Sequence, residues 1–293
     1  MRPRIVEFLT STFHSHTISY LVPKGSTLYA FAILMIVWIF LRRCQISGLS
    51  TYHAFRAIIW AIVGAVIGAH LYYVLQHLRY VIDYPFLIFN LTRGTASWGA
   101  YLGGILCFSI YIRKKKLPIL SYADVLGASL GIGPFIGRWS CFLNGCCYGT
   151  LSNVPWAVAF PKNSPPYVMQ LKAGLIEPDT VVSLPVHPVQ IYLSLAAIII
   201  FLIASKFWLY SRAKPGLTFA CYWLLYCTIR FGMEFFRENA EKYGGLSLSQ
   251  IVCLIIIVIA TGGMFRILLS KNQSIEYPSN IKSLHDRDVK KYT

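Results

Sequence analysis

The stretch LSQIVCLIIIVIATGGMFRILL (Leu248–Leu269) decides the class of this protein, because it runs without a charged side chain until Arg266. About 20 apolar residues in a helix are enough to cross the hydrocarbon layer of a membrane. Over all 293 residues, 56% are hydrophobic and only 13% are charged, and the mean hydropathy is +0.56. Soluble domains carry about 25% charged residues. The sequence therefore predicts an integral membrane protein.

Seven apolar segments predict an all-α, polytopic membrane fold with about seven transmembrane helices. The fourth segment is short and rich in glycine, which makes a weak helix alone but lets neighbouring helices approach closely in lipid. The N-terminus shows no apolar run long enough for a cleaved signal peptide. We expect a transmembrane domain over residues 1–270 and a basic cytoplasmic tail over 271–293. The segments are Ser26–Leu41, Arg56–Leu75, Thr95–Ile112, Tyr122–Ile136, His187–Ser205, Gly216–Phe231 and Leu248–Leu269.

The lysines and arginines indicate the orientation, because cytoplasmic loops of membrane proteins carry an excess of them. With the N-terminus outside, most basic residues fall inside, including Arg113–Lys116 and the tail. This predicts an N-out, C-in topology with a periplasmic loop over 150–186. Such topogenic charge explains most of the formal net charge of +16. The remainder suits anionic phospholipid on the cytoplasmic face, so we expect the bilayer as a partner and no nucleic acid.

Two charged groups then lie on the outer side. Arg138 stands in GRWSCFLNGCCYG (Gly137–Gly149), near the end of a helix, where an arginine costs a few kcal/mol unless it is paired or reaches the interface. In RFGMEFFRE, the residues Arg230, Glu234 and Arg237 are spaced i, i+4 and i+7, which predicts one helical face. A triad with one net positive charge suits a phosphate or carboxylate ligand. A structural ion network is the alternative.

Two further groups belong to the same side. In HPVQIY, Pro188 suits the first turn of a helix. His187 would then lie at the mouth of a site, with Gln190 and Tyr192 just inside. The small residues of SWGAYLGG, and His70 in GAHLYY, are read first as helix-packing residues. Unrelated structural residues would not be expected to gather on one side of the membrane, so the convergence favours a binding site.

Together these motifs resemble the prolipoprotein diacylglyceryl transferases of bacterial inner membranes, over roughly residues 25–270. HPVQIY is similar to the family's H-P-x-Q-x-Y, and RFGMEFFRE to its R-F-x-x-E-x-x-R. Tyr29 can stand for the tyrosine of the first helix, and His70 falls where many members have arginine. The family signature reads approximately G-R-x-G-N-F-x-N-G-E-x-x-G, of which this chain keeps Gly137, Arg138, Phe142, Asn144, Gly145 and Gly149.

The resemblance implies transfer of the diacylglyceryl group of phosphatidylglycerol to the lipobox cysteine thiol of a preprolipoprotein, with release of glycerol phosphate. It places this multi-pass enzyme in the inner membrane, reacting at the outer face, with no cofactor and no metal. The catalytic candidates are Arg138, Arg230, Glu234 and His187. The substrate-binding candidates are Arg138, Asn144, Gly145, Gly149, Tyr29, Gln190, Tyr192, Arg237, Trp98 and His70.

The chain also departs from the family pattern. Trp98 stands near the position of a family histidine that is a favoured candidate for activating the thiol, and an indole cannot accept a proton. Cys141 and Cys146 replace the first asparagine and the glutamate of the signature, and Leu193 replaces an acidic residue. These changes leave two alternatives open, namely a related transferase with another acceptor and a non-catalytic phospholipid-binding paralogue.

Three cysteines, Cys141, Cys146 and Cys147, face an oxidising compartment in the expected topology. A disulfide from Cys141 to either of the others would staple the loop, and unpaired packing thiols are the main alternative. A zinc site with His187 has suitable ligand types without a recognised spacing. A nucleophilic Cys146 that carries a lipid intermediate is the fourth alternative.

Overall fold

The structure is a computed structural model, and it describes residues 25–78, 97–237 and 242–270. The fold is predominantly helical, as predicted, with one short antiparallel hairpin. The predicted tail over 271–293 lies outside the described residues. The helices are α1 (Gly25–Ile46), α2 (Thr51–Gln76), α3 (Ser97–Lys114), α4 (Ile119–Leu130), α5 (Ile132–Asn144), α6 (Pro165–Lys172), α7 (Val189–Tyr210), α8 (Leu217–Met233) and α9 (Leu248–Leu269). The hairpin pairs β1 (Lys242–Tyr243) with β2 (Leu246–Ser247).

Five helical segments of the described chain are long and apolar enough to cross a membrane, and each overlaps a predicted span. The two other predicted spans correspond to α3 and α8, which are 18 and 17 residues long. The fourth predicted span is built from α4 and α5, which follow one another around Gly131. The five segments are Thr27–Ile46, Thr51–Gln76, Ile119–Asn144, Val189–Tyr210 and Leu248–Leu269.

The chain divides into two compact units. Of the described residues, the first unit comprises 25–36, Gly127–Ser211, 217–237 and 242–269. The second comprises 37–78, 97–126, Arg212–Gly216 and Ser270. All candidate site residues except Trp98 and His70 belong to the first unit.

Within the second unit, α2 and α3 pack backbone against backbone through glycines. A Cβ atom added at Gly103 would lie 2.1 Å from the carbonyl oxygen of Gly64, and one at Gly99 would lie 2.2 Å from that of Gly68. These separations are shorter than any side chain tolerates, so glycine is the residue that permits the contact. The small residues of SWGAYLGG are therefore explained by helix packing, the plainer of the two interpretations.

We expect Gly103→Ala to lower the thermal unfolding midpoint of the purified protein in detergent by several degrees. The added methyl group meets rigid backbone, and overpacking of this kind typically costs about 1–3 kcal/mol. Gly262→Ala in α9 is the matched control, because an added Cβ there meets nothing within 4 Å. Equal unfolding midpoints for the two variants would contradict the close helix contact.

The predicted loop over 150–186 is a folded layer of the first unit. Short antiparallel bridges join Leu151 and Val158 to Val186. Gln170, on α6, is 2% exposed, and its amide receives a 2.7 Å hydrogen bond from the Leu184 N–H and donates one to the Leu184 carbonyl. A small apolar cluster fills the layer, made of Phe142, Tyr148, Val158, Phe160 and Val186. Because Phe142 belongs to α5 and Tyr148 precedes residue 150, the layer shares this core with the end of α5.

Candidate active site

Glu234 lies at the centre of an ion cluster at the end of α8. Its carboxylate pairs with the guanidinium of Arg230 and lies 3.4 Å from Nη1 of Arg237. The sequence predicted both ion pairs, but it predicted the wrong backbone for the second. Helix α8 ends at Met233, and a 3-10 turn over Glu234–Phe236 brings Arg237 back to the carboxylate at i+3. Glu234 is 6% exposed, so its charge is held almost entirely by these partners.

Ser247 and Gln250 complete the surroundings of Glu234, and the sequence analysis missed both. The Ser247 hydroxyl donates a 3.2 Å hydrogen bond to the Glu234 carboxylate. The Ser247 N–H donates to the Gln250 side chain at 2.8 Å, and the Gln250 N–H donates to the Ser247 hydroxyl oxygen at 3.2 Å. These two hydrogen bonds form a capping box at the start of α9, which the S-x-x-Q spacing in the sequence could have predicted.

The end of α5 presents two of the substrate-binding candidates in an open cleft. Gly145 ends the helix in the left-handed conformation, with φ +68°, which favours glycine. Asn144 is exposed beside it. Together with Lys162 and the turn that follows, they line a cleft of about 250 Å³. An amide, a backbone turn and a lysine in one cleft offer hydrogen-bond donors to an anionic or polyol group.

Three sequence motifs meet at Gly149. Its N–H donates to the carbonyl of His187 at 3.0 Å, and the His187 N–H donates to the carbonyl of Thr150 at 3.0 Å. On the other side, the Thr150 N–H donates to the carbonyl of Phe236 at 2.9 Å. A Cβ atom on Gly149 would lie 2.6 Å from the Phe236 carbonyl oxygen and 2.7 Å from the His187 Cβ. Only glycine lets the three segments meet in this way.

We expect Gly149→Ala to reduce both stability and turnover, because the methyl group would push His187 and Phe236 away from the loop. The cost of overpacking at such a contact is typically about 1–3 kcal/mol. Gly232→Ala is the control within a neighbouring motif, since an added Cβ there meets nothing within 4 Å. Thermal unfolding and lipid-transfer assays compare the two, and an unchanged Gly149→Ala variant would rule out the tight junction.

The side chains of HPVQIY fasten this junction from the α7 side. Helix α7 begins at Val189, so His187 precedes the helix and Pro188 caps it instead of lying in its first turn. The His187 Nδ1 lies 3.3 Å from the Tyr192 hydroxyl. Trp156 Nε1 donates to that hydroxyl at 2.6 Å, a contact across 36 positions that no local pattern indicates. The buried Gln190 amide donates to the Cys146 carbonyl at 2.8 Å.

Three thiols come together between α5 and this junction. The Sγ atoms of Cys141, Cys146 and Cys147 all lie within 4.8 Å of one another, and all three are free cysteines. The Tyr29 hydroxyl of α1 is in hydrogen-bond contact with Cys141 Sγ at 3.0 Å. His187 is not among the side chains that could share a metal ion with them. Among the described residues the cysteines converge without His187, so the alternative of a zinc site that includes His187 is not formed.

The pKa values of the Cys146 and Cys147 thiols are shifted in opposite directions by their surroundings. The pKa of Cys147 is lowered, because Cys141 and Cys146 hydrogen-bond to its thiolate and the guanidiniums of Arg138 and Arg237 attract it, while burial opposes them. The pKa of Cys146 is raised, since its thiol is held as a donor by Cys141 and Cys147 and is partly buried. The surroundings therefore favour ionisation of Cys147 over that of Cys146. Arg138, on α5, and Arg237, after α8, thus act on the same sulfur.

Trp98 and His70 belong to the second unit. Trp98 is 7% exposed and packs edge-on against Tyr101, with ring centroids 6.0 Å apart. His70 is 5% exposed within α2. A role for Trp98 or His70 in substrate binding stays a prediction.

Comparison with known proteins agrees with the motifs. The family model for prolipoprotein diacylglyceryl transferase matches residues 25–266. A Clostridium tetani protein named phosphatidylglycerol–prolipoprotein diacylglyceryl transferase is 32% identical over 233 residues, which cover 78% of this chain and 87% of that protein. Proteins of the same name from Thermosynechococcus vestitus and Thermotoga maritima are 28% and 26% identical, over 82% and 85% of this chain and 86% and 81% of their own lengths. This chain belongs to the prolipoprotein diacylglyceryl transferase family.

Proposed function

We propose that this membrane protein transfers the diacylglyceryl group of phosphatidylglycerol to the lipobox cysteine thiol of a preprolipoprotein and releases glycerol phosphate. The family match and the names of the relatives support this reaction and its two substrates. The observation that carries the proposal is the buried ion cluster of Glu234 with two arginines, beside a junction of three motifs.

The ion cluster suits the phosphate half of the reaction. When the carbon–oxygen bond of the lipid breaks, the phosphate gains a negative charge, and preformed positive charge lowers the energy of that step. Arg230 and Glu234 are 8% and 4% exposed at their side chains, whereas Arg237 is 27% exposed. Among the described residues, the Nε of Arg237 has no hydrogen-bond partner. Arg237 therefore faces the ligand, while Glu234 and Arg230 hold it in place.

The remaining candidates are assigned by position. Asn144 and Gly145 line the open cleft and bind the polar glycerol headgroup. Gly149 and Tyr192 form the junction beside it. Gln190 is fully buried, and its Oε1 has no hydrogen-bond partner among the described residues, so it offers an acceptor to a substrate hydroxyl. Tyr29 closes the side next to the thiols.

The acceptor half needs a way to deprotonate the incoming thiol, whose ordinary pKa is about 8.5. His187 is partly exposed and is the candidate general base of the first unit. Trp98 and His70 remain binding candidates of the second unit. In the full proposal, seven helices cross the bacterial inner membrane with the N-terminus outside, and the layer over 150–186 is periplasmic. Residues 1–270 form the transmembrane domain and 271–293 its cytoplasmic tail.

Reporter fusions test this topology. A reporter fused after Lys116 or at Thr293 should be active in the cytoplasm, and one inserted near Lys172 should be active in the periplasm, because the basic loops stay inside. A cytoplasmic result at Lys172 would remove the premise that the motifs share the outer face.

Two arginine variants test the reaction. We expect Arg138→Ala and Arg230→Ala each to lower transfer of labelled diacylglyceryl to a lipobox peptide on the order of hundreds-fold. Arg138→Ala removes positive charge near the departing phosphate, and Arg230→Ala releases Glu234, which holds Arg237 in place. Arg266→Ala, an exposed arginine near the end of α9, is the matched control and should retain activity. An active Arg138→Ala protein would refute the proposed role of this residue.

Complementation separates the proposed reaction from the two alternatives. The gene should restore growth to cells depleted of their only standard transferase. Phosphatidylglycerol binding without transfer to any lipobox peptide would indicate a non-catalytic paralogue. Transfer to a different acceptor, with no complementation, would indicate a related transferase.

A further inference from the structure

The three thiols form the strongest unassigned feature of the first unit. Their Sγ atoms lie within 4.8 Å of one another, although Cys141 belongs to α5 and the other two to the loop that follows. Cys147 adopts φ +58°, a conformation that residues other than glycine rarely hold. Such backbone persists only where its surroundings enforce it. A disulfide would use two of these sulfur atoms, and it would leave the position of the third without an explanation.

We propose that Cys141, Cys146 and Cys147 bind one zinc ion and leave its fourth position open for the acceptor thiol. Catalytic zinc sites have three protein ligands and one exchangeable position. This inference rests on the proposed function, because the fourth ligand is the lipobox cysteine. It also differs from the sequence-based expectation that the site holds no metal.

The geometry fits zinc after small adjustments. Zn–S bonds of about 2.3 Å in a tetrahedral site place the sulfur atoms about 3.8 Å apart. Starting from separations within 4.8 Å, side-chain rotations that move each sulfur by about 1 Å or less are enough. Cys146 and Cys147 are partly exposed while Cys141 is buried, so the open position faces the side from which a peptide can arrive. Thiolates are also ligands that select zinc over magnesium or calcium.

The charges around the thiols fit the loaded site. A zinc ion with three protein thiolates and the acceptor thiolate carries two negative charges. The cluster of Arg230, Glu234 and Arg237 has one net positive charge, and the guanidinium of Arg138 also attracts negative charge on Cys147. Arg138 and Arg237 both act electrostatically on Cys147, so this compensation is local.

The chemical step is then a displacement in which the acceptor sulfur replaces the phosphate oxygen on the glyceryl carbon. The acceptor thiol loses its proton when it binds zinc, because a coordinated thiol is deprotonated, and water carries that proton to His187, the candidate general base. Its sulfur forms a bond to the glyceryl carbon of the lipid, and the bond from that carbon to the phosphate oxygen breaks. The bonding electron pair leaves with the oxygen, so the negative charge passes from the sulfur to glycerol phosphate. The neutral thioether is a weak zinc ligand and departs.

Cobalt binding tests the metal site on the full-length protein in detergent, reduced and freed of metal. We expect one cobalt ion per chain with a sulfur-to-cobalt charge-transfer band. The band should be lost in Cys146→Ala and in Cys147→Ser, and kept in the control Cys221→Ser, whose thiol lies on α8. A lipobox peptide should shift the visible cobalt bands, and the same peptide with serine in place of its cysteine should not.

Zinc removal tests the catalytic part. At pH 7 only a few per cent of a free thiol with a pKa of about 8.5 is ionised. We therefore expect the zinc-free enzyme to lose transfer on the order of 30-fold at pH 7 and to regain rate toward pH 9. Phosphatidylglycerol binding should be unchanged, and added zinc should restore the rate.

Three results would overturn the inference. The first is a cobalt charge-transfer band that is unchanged in the Cys146 and Cys147 variants. The others are a transfer rate that is unchanged after zinc removal and a native disulfide that prevents metal binding. Failure of the proposed function looks different. A zinc-loaded protein with a peptide-responsive cobalt site but no transfer from phosphatidylglycerol would refute the transferase reaction and leave the metal site standing.

Discussion

The crossing of three chain segments at Gly149 is the contact on which the candidate site depends. The N–H of Gly149 reaches the carbonyl of His187, and the neighbouring N–H of Thr150 reaches the carbonyl of Phe236. No side chain fits between them, because a Cβ would lie within 2.7 Å of both segments. The loop after α5, the start of α7 and the end of α8 are thereby fixed by main-chain hydrogen bonds, so the side chains they carry share one locality.

Buried charge is the second constraint, and the fold satisfies it locally. Ion pairs removed from water are costly unless their remaining hydrogen bonds are also made. Glu234 has two arginines and the Ser247 hydroxyl as partners, and Ser247 is held in turn by the capping box with Gln250. The start of α9 thus does two things at once, since it caps its own helix and orients the acid. The cluster keeps one net positive charge, and Arg237 is its most exposed member.

The sequence predicted what local spacing controls. The apolar runs located the helices, and the separation of Glu234 from its two arginines was close enough along the chain to predict both ion pairs. It did not predict that α8 ends at Met233, because the 3-10 turn depends on the backbone bond from Thr150 to Phe236, across a large sequence separation. The contact between Tyr29 and Cys141 spans 112 positions, so local sequence patterns could not predict it either. The capping box, by contrast, was visible as S-x-x-Q and was overlooked.

The same reasoning explains why the substituted signature positions behave as a group. The sequence grouped Cys141, Cys146 and Cys147 as partners of a disulfide, as packing thiols or as zinc ligands with His187, and it could not predict which arrangement they take. Their convergence arises because Gly145 ends α5 in a left-handed turn and Cys147 continues in the same region of φ. Two left-handed residues separated by one position turn the chain back on itself, which returns the last sulfur toward the first. The Gln190 amide then holds the Cys146 carbonyl from the α7 side. The thiol cluster is therefore a consequence of how the helix ends, and the chemistry proposed for it depends on that turn as much as on the cysteines.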